Sequence, residues 1–75
     1  MTTDAITEYR NQMARAKRNF AICVVNIQQD IPARSLDWRM MADRLRSAII
    51  RAERFARLGK FDAAVTLLGK EDEAA

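Results

Sequence analysis

Histidine is absent from these 75 residues, and cysteine occurs once. The first absence removes the commonest general base and the commonest metal-binding nitrogen. The second rules out a disulfide within the chain. Two glycines and one proline exclude a turn-rich barrel, a collagen-like repeat and a disordered linker. The most apolar run, Phe20 to Val25, falls far short of the ~20 residues that span a bilayer. The opening Met1-Thr2-Thr3-Asp4-Ala5-Ile6-Thr7-Glu8 lacks the basic, then apolar, then small-residue order of a secretion signal. These absences predict a cytoplasmic protein that makes no membrane contact. The carboxylates stand mostly alone among arginines, so paired acid–base chemistry has no visible site. No glycine-rich phosphate loop or ligand cluster is present. The expectation is a non-enzyme with no catalytic residue, cofactor or metal, in which Cys23 is a small buried apolar side chain.

What is there is helical. Apolar residues make up 49 % of the chain, and Ile6, Tyr9, Met13, Ala16, Phe20, Cys23 and Ile27 recur in alternating steps of three and four. That stripe predicts a first helix over about 3–29, with Thr2 or Thr3 as N-cap and Asp4 favourably placed in the first turn. Pro32 disfavours helix at Ile31, so residues 30–34 read as a loop. Ser35 reads as the next N-cap. A second stripe, Trp38, Met41/Ala42, Leu45, Ala48/Ile49, Ala52 and Phe55/Ala56, predicts a helix over about 36–58. Gly59 sits where a residue of positive φ ends a helix. A short helix over about 60–68 follows, with Phe61, Ala64, Val65 and Leu68 folding back on helix two. Gly69 closes it, and residues 70–75 are expected to fray. The predicted fold is one all-α domain over 1–75, a long antiparallel hairpin with a short C-terminal helix. A core this small supplies roughly 3–5 kcal/mol, so dimerisation into a four-helix-like bundle is the expected remedy.

Two surface features point outward. Taking Phe20 as zero and about 100° per residue, Ile22 and Val25 fall near 200° and 140°, on the back of the first stripe. Two β-branched residues there, beside Ala14 and Ala21, predict a homodimer contact rather than scattered surface aliphatics. The second feature is charge. The chain carries 13 Lys+Arg against 10 Asp+Glu, and residues 31–58 hold seven arginines against Asp37, Asp43 and Glu53. Arg39, Arg46 and Arg57 around Met40 are the candidate partner-binding residues. Arginine pairs bidentately with carboxylates while its stem packs on apolar surface, which suits a protein target. The same arginines are also compatible with a plain solvated face, or with a small basic dimer gripping RNA or DNA phosphates. Against the latter stand the acidic tail and the lack of exposed aromatics between the cations.

Leu58-Gly59-Lys60-Phe61-Asp62-Ala63-Ala64 resembles the joint of a tetratricopeptide repeat, but only one unit is present, and a plain helix–turn–helix joint accounts for it. Taken together, several features are similar to phage anti-quorum-sensing anti-activators, small host-inhibitor proteins. They are the long first helix, the Pro-containing loop, Asp37-Trp38-Arg39 opening helix two, Asp43-Arg44-Leu45 within it, and the closing Gly59-Lys60-Phe61-Asp62-Ala63-Ala64. The resemblance spans residues 4–68. It implies a homodimer in the bacterial host cytoplasm that binds a LuxR-type transcriptional activator and blocks its function, and it allows a pilus-assembly ATPase as a second host target. It carries no diagnostic motif, so no residue role is transferred from it.

Overall fold

The computed structural model describes residues 2–29 and 35–74 and is all-helical over them, with α1 at Thr2–Gln28, α2 at Ser35–Arg57 and α3 at Phe61–Ala74. The expected loop around Pro32 lies outside the described residues. Helices α1 and α2 follow the two stripes. Met13, Ala16 and Cys23 of the first and Ala42, Leu45, Ala48 and Ala52 of the second are buried. Tyr9, Phe20 and Ile27, with Trp38, Met41, Ile49 and Phe55, pack partly buried around them. Among the described residues five of the nine buried hydrophobic ones are alanines, so the helices are held by close approach more than by large side chains.

The core falls into two clusters that differ in how many helices build them. Met13, Ala16, Ala48, Ala52, Ala64 and Leu68 form the first, which draws on all three helices. Cys23, Ala42 and Leu45 form the second, which draws on α1 and α2 alone. The reason is length. At 1.5 Å per residue α1 spans about 40 Å and α3 only about 21 Å. Helix α3 therefore covers one half of the hairpin, and the other half is a two-helix arm in a molecule 44 × 17 × 16 Å across.

Helix α3 is longer than the sequence reading expects. It runs straight through Gly69 to Ala74, so residues 70–74 are helix and not a frayed tail. Two physical reasons account for this. Lys70, Glu71 and Ala74 are good helix formers. The Glu71 carboxylate also meets the Arg44 guanidinium of α2 at 3.1 Å, which ties the last turns down. Phe61 likewise does more than cap the end of α2, because its ring meets Tyr9 of α1 edge-on, with centroids 5.5 Å apart. Burial first, and the Glu53 carboxylate second, raise the Tyr9 phenol above its ordinary pKa against the opposing pull of Arg57.

The two glycines do opposite jobs. Gly59, at φ 76°, closes α2 with its N–H donated to Ala56 O at 3.0 Å and the Lys60 N–H donated to Phe55 O at 2.8 Å. Gly69 sits inside a helix, and a Cβ there would meet only Gln12 Nε2, at an ordinary 3.7 Å. Gly59→Ala is therefore expected to cost about 1–2 kcal/mol for a left-handed non-glycine residue. Gly69→Ala should gain about 0.5–1 kcal/mol of helix propensity. Thermal melting followed by circular dichroism should show the two midpoints moving in opposite directions. Movement in the same direction would contradict these backbone assignments.

Candidate functional site

Helix phase and the contacts of Arg44, Arg51 and Arg57 fix which way the arginines of α2 look. Arg44 reaches α3 through Glu71, and Arg51 lines an α2–α3 groove with Phe55 and Leu67. Arg46 follows Arg44 by two residues, about 200° round the helix, and so looks away from α3. Arg39, Arg46 and Arg57 share that outward side, since 39 and 46 are seven residues apart and 46 and 57 eleven. All three are exposed. Arg57 lies close enough to Tyr9 of α1 to influence its phenol, so this stripe borders α1.

Met40 does not belong to that stripe. It is 57 % exposed, yet it stands four residues before Arg44 and therefore on the α3-facing side. The apolar residue that does stand among the arginines is Ile50, 42 % exposed. It is four residues after Arg46 and seven before Arg57, a spacing legible in the sequence but masked there by the many aliphatics of α2. The outward stripe is thus Arg39, Asp43, Arg46, Ile50, Glu53, Arg54 and Arg57, four arginines against two carboxylates with one large apolar residue among them.

The second surface lies where α3 stops. Leu68 and Leu45, with Ala16 and Asn19 of α1, line a small cavity beside the last turns of α3. One turn further on, Asn19, Ile22, Cys23, Trp38 and Met41 line an open groove of about 190 Å³. The two share Asn19 and run in line, so the groove is the continuation of the space that α3 occupies. Cys23 is its buried floor, and Ile22 on α1 stands exposed at its edge. Trp38, which the sequence places in the core, is only partly buried and forms part of this wall. Its indole Nε1 is buried with no acceptor among the described residues.

Val25, paired with Ile22 in the sequence reading, is 46 % exposed against 49 % for Ile22. The two are about 60° apart on α1, with Ile22 at the groove and Val25 behind it. Leu58, 71 % exposed in the turn after α2, had no sequence signal marking it. Burial raises the pKa of the Cys23 thiol, which keeps it protonated at the groove floor. Among the described residues no group of His, Cys, Asp and Glu is placed to hold a metal ion. No described helix is long and apolar enough to cross a membrane. Compared with protein-family models, curated proteins and solved structures, the chain finds no match.

Proposed function

We propose that this protein acts without catalysis, by occupying the surface of another protein through the outward stripe of α2. The observation that carries the reading is Ile50 set among Arg39, Arg46 and Arg57 on the side turned away from α3. Arginines around an apolar residue match a partner surface that presents carboxylates beside an apolar patch, and arginine is enriched where binding energy concentrates. The resemblance to phage anti-activators makes a LuxR-type transcriptional activator the first partner to test, with a pilus-assembly ATPase second. In that reading the protein is a cytoplasmic homodimer, with Ile22 and Val25 of α1 contributing to the self-contact.

Calorimetry of the purified protein against a LuxR-type activator tests the proposal. Arg39→Glu combined with Arg46→Glu should leave helicity unchanged, since neither side chain is in the core. The same pair should weaken binding by more than ~2 kcal/mol if these are hot spots, and Ile50→Ser should weaken it further. Unaltered affinity would reduce the stripe to a solvated face. Affinity for duplex DNA or RNA that falls steeply with salt would favour the nucleic-acid reading instead, because phosphate contacts release counterions.

A further inference from the structure

We propose that the back of α1 is covered by the back of α1 from a second copy, the two helices lying antiparallel about a twofold axis midway between Ala21 and Val25. Ala21 of each copy then packs on Val25 of the other. This rests on the self-association reading above and gives it a direction and a register. The contact uses α1 alone, on the side turned away from α2 and α3.

Three observations support it. The first is a local absence of charge. Residues 19–29 hold no Asp, Glu, Lys or Arg, the longest such run in a chain that is 31 % charged, and their polar members are all amides. The run takes in every face of the last turns of α1, including the exposed back where Ala21, Ile22 and Val25 stand. A helix that keeps no charge on any side is built to be covered on every side. The second is shape. Arg18, Ala21, Val25 and Gln28 recur in steps of three, four and three, all of them exposed, and so form one row. Antiparallel overlap of that row sets the small Ala21 against the branched Val25 twice and brings the two Ile22 side chains together beside the axis. An isologous contact needs a surface that carries its own complement, and a small residue one turn from a large one supplies it.

The third is the charge at the two ends of the row, which sets the direction. Helix α1 has no basic residue in its last turn, and the next ionisable residue along the chain is Asp30. The negative end of its dipole is therefore uncompensated within the helix. At the other end of the row Arg18 is exposed and has no ion-pair partner among the described residues. Antiparallel overlap lays Arg18 of each copy against Gln28 and the closing carbonyls of the other's α1, twice over. Parallel overlap would lay Arg18 on Arg18 and the two negative ends side by side. A cation is favoured at a helix C-terminus, and like charges exclude the alternative.

Analytical ultracentrifugation of the full chain tests the proposal, with circular dichroism as the control for folding. Three turns of one helix make a small contact, so the concentration range runs up to hundreds of micromolar. Val25→Glu should abolish the dimer without loss of helix, since the side chain is exposed in the single chain. Arg18→Glu and Gln28→Lys should each raise the dimer Kd by roughly tenfold, and the double exchange should restore it to within about threefold of the original. Gln28→Lys also puts a cation at the C-terminal end of α1, which favours the helix within one chain. Its melting temperature at dilution should therefore hold or rise while its dimer weakens, so the loss reports contact between copies rather than folding. A wild-type chain that stays monomeric at hundreds of micromolar overturns both this proposal and self-association itself. A dimer that survives Val25→Glu lies elsewhere on the surface and overturns this contact. A dimer lost with Val25→Glu, yet indifferent to Arg18→Glu and to Gln28→Lys, keeps self-association through α1 and overturns the antiparallel register.

Discussion

Leu45→Ala is expected to leave the chain largely unfolded at room temperature. Leu45 is 5 % exposed, belongs to the cluster of Cys23 and Ala42, and lines the cavity that Leu68 and Ala16 share. It is therefore the side chain that joins the two halves of the core. Truncating a buried leucine typically costs about 2–5 kcal/mol, because both transfer energy and a residual cavity count against the fold. A single core in a domain this small supplies roughly 3–5 kcal/mol, so the two figures are comparable. The neighbours have little with which to refill the space, since Ala16, Ala42 and Ala48 carry only a methyl group each. Leu45→Met, which conserves volume, should cost less than about 1.5 kcal/mol and retain the helical signal. Circular dichroism of the two variants decides the matter. A cooperative melt for Leu45→Ala within a few degrees of the parent would mean that Leu45 does not join the clusters.

Ala64→Leu should produce the next largest effect, by the opposite route. Ala64 is fully buried in α3 and packs in a cluster with Met13, Ala16, Ala48 and Ala52. Overpacking a tight core costs typically 1–3 kcal/mol. Here the facing side chains are mostly methyl groups fixed to helix backbones, so strain can be relieved only by moving α3 itself. The expected outcome is an early-opening α3, with the edge contact of Phe61 on Tyr9 and the pair of Glu71 with Arg44 lost together. Hydrogen exchange should show α3 amides losing protection while those around Cys23 and Leu45 keep theirs. Unchanged protection in α3 would place that helix elsewhere.

Much of this architecture was legible in the residues. The threes-and-fours spacing of Met13, Ala16 and Cys23, and of Ala42, Leu45, Ala48 and Ala52, marked the buried faces because periodicity is a local property. The turn at Gly59 was legible for the same reason. What the sequence hid depends on neighbours distant along the chain. Gly69 looks like a helix stop beside Gly59, but one is left-handed and the other helical, and the difference lies in what α3 packs against. The partial exposure of Trp38 follows from α3 ending too soon to cover it, a fact about relative lengths that no stripe records. The sequence places Met40 among the arginines as an apolar residue on a charged side, although it stands about 120° round α2 from Arg46. Only the contact of Arg44 with Glu71 shows that it looks the other way, and Ile50 takes its place.

The position of Cys23 turns the arm into a system that can be timed. Its thiol is 2 % exposed at the groove floor, is the only one in the chain, and is held towards its protonated form by burial. An alkylating reagent needs the exposed thiolate, so modification proceeds through the opened arm. With reagent dilute enough for the arm to reclose between encounters, the rate relative to an unstructured cysteine peptide gives the opening equilibrium of the two-helix end. The three-helix end contributes to that rate only through global unfolding. Alkylation kinetics on the unmutated chain therefore separate the stability of one end of this molecule from that of the whole.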